Sequence, residues 1–170
     1  MELNKLIKLA SKVDLAIVAN LASIVREDML NSGLKQWLGN YPAYDNFYDD
    51  FLKQGLYVYF ADKTIVGSIS ILPENDEAYK EVIWESNKAL VVHRILVNPN
   101  YQGQGIGKAL ISFSVEKGIS EGYTAIKIDT HPDNLKMQKM LKTLGFIYRG
   151  YLASINRLAY ELVLFKDKGE

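Results

Sequence analysis

The sequence predicts an α/β domain spanning residues 1–170, with helices on one mixed β-sheet in the order β-α-α-β-β-β-α-β-α-β-β. Of its 170 residues, 48% are apolar and 24% are charged, which is enough apolar material for one packed core. Segments with helical periodicity alternate with short runs rich in β-branched and aromatic residues. Because strands follow one another directly at two places, a series of repeated βα units is not expected.

The N-terminal part of the chain predicts a weak strand followed by an amphipathic helix. The strand is expected at Leu3–Leu9. Ser11 and Asp14 stand three residues apart, the spacing of a capping box, in which side chains satisfy backbone N–H groups at a helix start. The helix should end before Gly33, since glycine is favoured just past a helix end. Its predicted apolar face consists of Ile17, Leu21, Ile24, Val25 and Met29.

A second helix and a β-hairpin are predicted next. The helix begins after Pro42 and stops at Gly55, and an aromatic stripe at helical spacing marks the face that packs. Two strand-like runs, Leu56–Ala61 and Thr64–Leu72, are separated by two polar residues, which is typical of a hairpin. Pro73 ends the hairpin. The aromatic stripe consists of Tyr44, Phe47, Tyr48 and Phe51.

A long polar connection leads into a strand that is expected to lie at the centre of the sheet. Residues Glu74–Lys88 are mostly acidic and polar, and we expect no more than a helical turn among them. Loops of this length are often functional. Ala89–Val97 is a nearly uninterrupted apolar run, as in a strand buried on both faces. A glycine-rich turn follows, and a helix should run from Ile106 to about Gly122.

The C-terminal part of the chain predicts a strand, a short helix and two closing strands. The first strand is expected at Thr124–Ile128. The short helix runs from Leu135 to Leu144, with Gly145 as the residue just past its end. The closing strands are expected at Phe146–Ala153 and Leu158–Phe165.

Composition argues against several classes of function. Lys and Arg total 20, and Asp and Glu total 20, so the net charge of 0 lacks the basic excess of a nucleic-acid-binding protein. The sequence has no cysteine and two histidines, which argues against disulfides, a thiolate nucleophile and a metal site. No basic segment leading into an apolar run stands at the start, and no long apolar stretch follows. We therefore expect a cytoplasmic protein with no metal and no nucleic-acid or membrane partner.

The most informative segment is the glycine-rich turn between the strand Ala89–Val97 and the helix at Ile106. Glycine has no Cβ, so successive backbone N–H groups can converge on one point and a ligand can approach the main chain. Together with the N-terminal end of the helix, these groups form an anion site suited to a pyrophosphate, and Lys108 adds positive charge. The alternative is a turn that only connects strand and helix.

Glycine spacing discriminates among phosphate-binding motifs. A dinucleotide fingerprint needs G-x-G-x-x-G, whereas Gly103, Gly105 and Gly107 place the third glycine one residue early. A Walker A loop needs glycine at 102 and serine or threonine at 109, where this chain has Gln102 and Ala109. A nicotinamide-dependent oxidoreductase is therefore disfavoured, and a Walker A nucleotide-binding loop does not fit.

Gln102, Gly105 and Gly107 fill the pattern Gln or Arg, two residues, Gly, one residue, Gly or Ala. This pattern resembles the acetyl-CoA-binding motif of the GNAT superfamily of N-acetyltransferases. The preceding residues 95–99, Ile-Leu-Val-Asn-Pro, are similar to the end of that family's fourth strand. Asn134, opening a helix that ends in Leu-Gly-Phe at 144–146, resembles its next motif. The predicted element order is similar to the GNAT fold along nearly the whole chain.

The resemblance implies an N-acetyltransferase in which the fourth and fifth strands splay apart and the pantetheine arm of acetyl-CoA threads between them. The N–H groups of Ile95 and Val97 would bind that arm and polarise the acetyl carbonyl. Asn134 would hydrogen-bond along the arm, and the acetyl group would pass directly to a primary amine of a small molecule or peptide. The implied cofactor-binding residues are Ile95, Leu96, Val97, Gln102, Gly103, Gln104, Gly105, Ile106, Gly107, Lys108, Asn134 and Met137.

Two residues are candidates for the acid–base steps. An attacking amine must be neutral, so a proton acceptor helps, and His93 is the first candidate because histidine titrates near neutral pH. Strand alternation would place His93 on the same side as Ile95 and Val97. A core histidine bonded to backbone is the alternative. Many family members place a tyrosine general acid where this chain has Leu141, so Tyr148, another tyrosine or water would take that role.

The aromatic connector between the first two helices supplies candidates for the acceptor side. In the family these helices border the acceptor pocket, so Trp37 and Tyr41 are the first candidates for acceptor contact, although aromatic residues most often pack. Glu85, in the long polar connection, is a weaker candidate. The departure at Leu141 also admits a second hypothesis, a non-catalytic acyl-CoA-binding module.

The residues that follow the fifth strand have two interpretations. Asp129 either faces the acceptor amine or orients the histidine base. The alternative is that this segment only caps the next helix, through Thr130 or Asp133. Arg94 is expected to be a structural ion-pair partner. Homodimers are common in the family, but no sequence feature fixes the oligomeric state.

Overall fold

Seven strands form one sheet in the computed structural model of the protein, which describes residues 6–165. The strands are β1 (Ile7–Leu9), β2 (Leu56–Ala61), β3 (Thr64–Leu72), β4 (Ala89–Val97), β5 (Ala125–Thr130), β6 (Ile147–Leu152) and β7 (Arg157–Val163). Their order in the sheet is β1-β2-β3-β4-β5-β7-β6. The predicted bounds of β2, β3 and β4 are confirmed. The first strand is shorter than predicted, and its predicted residues 3–5 lie outside the described part of the chain.

Within residues 6–165, four α-helices connect the strands. They are α1 (Leu15–Asn31), α2 (Tyr44–Leu52), α3 (Ile106–Ser120) and α4 (Leu135–Thr143). Short 3-10 turns occupy Lys12–Asp14, Glu77–Glu81 and Pro99–Tyr101. The predicted order of strands and α-helices is therefore confirmed, including the helical turn in the long connection.

Strand pairing confirms a mixed sheet. The pairs β1–β2, β2–β3, β5–β7 and β6–β7 are antiparallel. β4 and β5 are parallel, and their ladder joins Ala89–Val91 to the facing residues of β5. The ladder thus comprises the first residues of both strands.

Contacts divide the chain into two units, each with its own packing. The first unit consists of the chain up to Leu72 together with His93–Phe113. The second consists of Pro73–Val92 and the chain from Ser114 onwards. β4 belongs to both, because its first four residues lie in the second unit and the rest in the first.

In the first unit, α1 packs against the hairpin through one apolar face. The capping box is present, since the Ser11 N–H donates to Asp14 Oδ2 at 2.9 Å, but a 3-10 turn precedes the α-helix. The predicted face was partly wrong, because Ile17 is 50% exposed and Ile24 is 43% exposed. The buried face follows i, i+3, i+4 spacing from the first α-helical residue. It consists of Leu15, Val18, Leu21, Ala22 and Val25.

The predicted aromatic stripe of α2 is also only partly buried. Phe47 is fully buried, but Tyr44 and Tyr48 are exposed at the helix surface. The second fully buried residue of α2 is Asp50, a charged one. Burying a carboxylate is costly unless it is paired and hydrogen-bonded, so its partners are expected to be specific.

In the second unit, the long connection is anchored by a buried charge on β7. Glu161 is fully buried, and it accepts hydrogen bonds from the Glu85 N–H at 2.8 Å and the Ser86 N–H at 3.0 Å. Arg149 Nε donates to the same carboxylate at 2.8 Å. Trp84 Nε1 donates to the Tyr79 carbonyl at 2.7 Å. These hydrogen bonds hold the long connection in place, although its sequence has no helix or strand periodicity.

Candidate active site

The glycine-rich loop follows the end of β4 directly. The Asn98 N–H donates to the Val66 carbonyl at 2.7 Å, which holds the end of β4 beside β3. The Asn98 side chain then accepts from the Asn100 N–H at 2.9 Å and caps a 3-10 turn. Residues 102–105 are exposed, and α3 begins at Ile106.

Two glycines of this loop have left-handed backbone. Gly103 and Gly105 both have φ +80, and a Cβ added to either would meet no described atom within 4 Å. Backbone conformation therefore requires these glycines, and the space beside them is open. The first helical hydrogen bond of α3 runs from the Ala109 N–H to the Gly105 carbonyl, at 3.0 Å. The N–H groups before Ala109 thus point out of the helix end, which suits a pyrophosphate.

A third glycine fixes where the loop lies. A Cβ on Gly67 of β3 would come within 3.0 Å of the Leu96 carbonyl oxygen and 3.3 Å of Ile106 Cγ2. The absence of a side chain at 67 therefore lets the first residue of α3 pack directly on the sheet. Ile106 and Leu96 have buried side chains, so their implied contribution to a ligand is that of the backbone.

β4 is irregular at Arg94, whose φ is +47. A non-glycine residue rarely adopts this conformation, and in a strand it interrupts the alternation of side chains, as in a β-bulge. The expectation that alternation places His93 on the same side as Ile95 and Val97 therefore loses its basis. His93, Ile95 and Val97 are all partly buried.

The Arg94 side chain is held by a buried carboxylate. Arg94 Nε donates to Asp50 Oδ2 at 2.7 Å, and its Nη2 donates to the other oxygen. Ser70 Oγ also donates to Asp50 Oδ2, at 2.5 Å. Burial of Arg94 opposes its charge, but the hydrogen bonds and negative charge of Asp50 outweigh this and raise the pKa of Arg94. The prediction that Arg94 is a structural ion-pair partner is confirmed.

The two aromatic candidates of the α1–α2 connector differ in burial. Trp37 is buried in the core cluster that includes Phe47 and Leu96, and this favours packing over acceptor contact. Tyr41 is exposed, and its hydroxyl accepts from Arg94 Nη1 at 3.0 Å. An open cleft of about 250 Å³ lies in the same region. Its lining residues are Ala19, Ser23, Arg26, Asn40, Pro42, Ala43 and Tyr44.

In the second unit, Asp129 is oriented by two neighbours. The Tyr79 hydroxyl donates to Asp129 Oδ2 at 2.7 Å, and Arg157 Nε lies 3.9 Å from Oδ1. Tyr79 is buried, and this burial, together with the negative charge of Asp129, raises its pKa well above the ordinary value. Tyr79 is therefore a permanent donor to Asp129 at neutral pH.

His131 lies beside this pair but has a local partner. Its Nδ1 accepts from the Asp133 N–H at 3.0 Å, so this nitrogen is unprotonated. Burial lowers the pKa of His131, the positive charge of Arg157 lowers it further, and Asp133 opposes the shift. The ring is thus neutral in the folded protein at neutral pH.

Asn134 is the N-cap of α4. Its Oδ1 accepts from the Met137 N–H at 3.1 Å, so the predicted capping by Thr130 or Asp133 was wrong. A cap needs its side-chain oxygen within reach of the N–H two or three residues later, and that position falls on Asn134. Met137 is partly buried.

Glu85, the weaker acceptor candidate, is exposed, and its N–H donates to Glu161.

Tyr148 and Leu141, the two positions considered for a general acid, have opposite environments. Tyr148 is 48% exposed on β6, and its ring lies 5.6 Å from the buried ring of Tyr160. Burial raises the pKa of Tyr160. Leu141, a residue of α4, is fully buried. Sequence reasoning missed Asp50 and Tyr79. The available signals were an acidic residue within an aromatic stripe and an aromatic residue in a polar connection.

A comparison with protein families decides the assignment. Residues 22–146 match the family described as the acetyltransferase (GNAT) family. The chain belongs to this family. The match includes α2, the hairpin, β4, the glycine loop and α4, so the resemblance noted in the sequence is confirmed. Among residues 6–165, no helix is both long and apolar enough to cross a membrane.

Solved structures of GNAT acetyltransferases share the fold. One from Streptococcus agalactiae has a TM-score of 0.81 and 25% identity, covering 94% of this chain and 95% of that one. One from Staphylococcus aureus has a TM-score of 0.74 and 25% identity, covering 94% and 99%. The PaiA N-acetyltransferase of Thermoplasma acidophilum, solved with coenzyme A, has a TM-score of 0.74 at 15% identity, covering 92% and 97%, and supports the fold alone.

Curated GNAT relatives match over a shorter stretch. Human N-acetyltransferase 8B is 28% identical over 86 residues, which are 51% of this chain and 35% of that protein. An N-acetyltransferase of Methanocaldococcus jannaschii is 28% identical over 78 residues, 44% of this chain and 34% of that protein. The matched part therefore spans about a third of the length of these relatives.

Proposed function

We propose that the protein transfers the acetyl group of acetyl-CoA directly to a primary amine of a small molecule or peptide. The loop from Gln102 to Lys108 carries this proposal, because it combines the GNAT sequence pattern with left-handed glycines, open space and the start of α3. Family membership supports acetyl transfer, and the PaiA structure contains coenzyme A. The chemistry of the loop fits the diphosphate of that ligand.

The proposed cofactor contacts are made by backbone N–H groups and one amide side chain. Backbone N–H groups from Gly103 to Lys108 would hold the pyrophosphate. The N–H groups of Ile95 and Val97 would bind the pantetheine arm, with Asn134 adding a side-chain hydrogen bond. Acetyl-CoA supplies a thioester activated for acyl transfer. N–H donors aimed at its carbonyl oxygen would stabilise the negative charge that develops when an amine attacks.

The acid–base and acceptor roles are assigned on chemistry. We assign His93 as the proton acceptor for the amine, since imidazole accepts a proton near neutral pH. Tyr148 is assigned as the proton donor to the departing thiolate, because its ring is exposed on β6. On the acceptor side we assign Tyr41 and Asp129, an exposed phenol and an oriented carboxylate suited to an amine. The burial of Trp37 gives it a packing role.

Two measurements test the proposed function. Thermal melting with acetyl-CoA, CoA, NAD and ATP identifies the ligand, since a ligand at 100 times its dissociation constant adds about 2.7 kcal/mol. Thiol release across an amine panel then measures transfer. His93→Ala and Tyr148→Phe should each lower kcat by at least about tenfold. Tyr151→Phe is the control, because Tyr151 is also 48% exposed on β6.

The outcomes separate the proposed enzyme from its alternatives. Stabilisation by NAD alone would refute acetyl-CoA binding. Unchanged kcat and pH profile in His93→Ala would remove His93 as the base. The second candidate function is a non-catalytic acyl-CoA-binding module, and the complete burial of Leu141 at the family's general-acid position favours it. That module predicts stabilisation by CoA without thiol release for any amine of the panel.

A further inference from the structure

The left-handed backbone at Arg94 is the least expected feature of β4. At φ +47 an arginine is in a region that Cβ makes unfavourable for any residue other than glycine. Such a residue keeps this conformation only when its surroundings impose it, and strained residues of this kind cluster at functional sites.

Three hydrogen bonds, all within the first unit, hold the Arg94 guanidinium. Asp50, fully buried on α2, accepts from both Nε and Nη2 of the guanidinium in a bidentate pair. Ser70 of β3 donates to the same carboxylate and fixes its orientation. Tyr41 accepts from Nη1 at 3.0 Å. The guanidinium is thus held on two sides while the backbone of the same residue is left-handed.

Arg94 lies in β4 between two residues with proposed roles in the reaction. Arg94 stands between His93, the assigned base, and Ile95, whose N–H is assigned to the acetyl carbonyl. A change of backbone conformation at 94 would redirect both groups, because they flank the same two rotatable bonds. We propose that Arg94 is a positioning residue, and that its ion pair with Asp50 fixes the left-handed backbone of β4 that aims His93 and the Ile95 N–H. This inference rests on the proposed acetyl transfer.

A purely stabilising role for the ion pair gives different expectations. Buried ion pairs are weak contributors to net stability, since desolvation offsets much of their attraction, whereas their geometry can specify a conformation. If the pair only stabilises the fold, variants that lack it should have equal turnover whatever residue occupies 94. If it positions the strand, turnover should depend on whether residue 94 tolerates a positive φ.

The test compares two double variants that both lack the ion pair. Asp50→Asn is combined with Arg94→Gly in one and with Arg94→Ala in the other. Glycine adopts positive φ readily and alanine does not, so the glycine variant should have a kcat roughly tenfold higher than the alanine variant. The KM for acetyl-CoA should differ much less than kcat, because the glycine loop is untouched. Crystal structures of both variants report φ at residue 94.

The controls keep this inference separate from the proposed function. Asp49→Asn removes a neighbouring exposed carboxylate of α2, paired with Lys53 at 3.2 Å, and should leave kcat unchanged. A positive φ in both double variants, or equal kcat in both, would overturn the positioning role. Absence of transfer by the wild type would refute the proposed function, and the φ comparison would still decide the conformational part.

A single substitution covers the case in which Asp50→Asn prevents folding. Arg94→Lys retains the charge but loses the planar bidentate contact with Asp50. The positioning role predicts that kcat falls several-fold while the KM for acetyl-CoA changes much less. An unchanged kcat in Arg94→Lys, with φ at residue 94 shifted to negative values, would overturn it.

Discussion

Replacing Gly105 by alanine tests the pyrophosphate loop against a matched glycine elsewhere in the chain. Gly105 has φ +80, and Gly33, just past α1, has φ +85. A Cβ on either would meet no described atom within 4 Å. The two substitutions therefore impose the same backbone strain and no clash with described atoms. They differ only in whether the new methyl group points into the proposed ligand site.

The expected magnitudes separate stability from binding. A left-handed conformation costs a residue with a Cβ roughly 1–2 kcal/mol, so both variants should lose about that much free energy of unfolding. In Gly105→Ala the strain falls on the conformation that binds the diphosphate, and the methyl occupies the open space. The affinity for CoA should therefore fall at least tenfold, which corresponds to about 1.4 kcal/mol. Gly33→Ala should bind CoA as the wild type does.

Isothermal titration with CoA and urea denaturation provide the two readouts. Each variant is measured at the same ionic strength, because contacts to phosphates are sensitive to salt. If Gly105→Ala binds CoA within twofold of Gly33→Ala while both lose similar stability, the loop does not hold the diphosphate. The assignment of the glycine motif to diphosphate binding would then be wrong, even if the protein transferred acetyl groups.

Two further predictions concern the second unit. The lowered pKa of His131 means that its neutral ring contributes stability that is complete above the ordinary value of about 6.5 and is lost as the pH falls through the lowered folded-state value. The free energy of unfolding, measured by urea denaturation at about pH 7 and pH 5, should therefore fall more steeply for the wild type than for His131→Asn, and equal slopes would contradict this. Leu141→Tyr should lower the free energy of unfolding by about 1–3 kcal/mol without raising thiol release, because residue 141 is fully buried. A higher kcat in that variant would show that position 141 reaches the reacting atoms.

Local sequence features correctly predicted elements that pair with their neighbours in the sequence. The hairpin is a clear example, since Leu56–Ala61 and Thr64–Leu72 pair across a two-residue turn and both bounds were predicted correctly. Periodicity did not determine which face of α1 is buried. The face of α1 that packs begins at Leu15, and Ile17 lies on the exposed side of the helix.

The candidate site follows the same division. The glycine loop is one contiguous segment, so residue spacing was sufficient to predict its position between β4 and α3. Asp50 and Arg94 are 44 residues apart, and their pairing depends on how α2 lies on the sheet. The cap of α4 is Asn134 and not the predicted Thr130 or Asp133, because each of these three residues has a side chain that satisfies the sequence rule.

Asp50 and Arg94 of the first unit depart from the patterns of their elements for a common physical reason. Asp50 interrupts an aromatic stripe, and Arg94 interrupts an apolar strand, so each alone violates the pattern of its element. Together they satisfy each other, since the buried carboxylate requires a cation and the left-handed arginine requires an anchor. Apolar residues at both positions would offer a simpler core without desolvated charge. The retained pair is therefore better explained by the geometry it imposes on β4 than by the stability it adds.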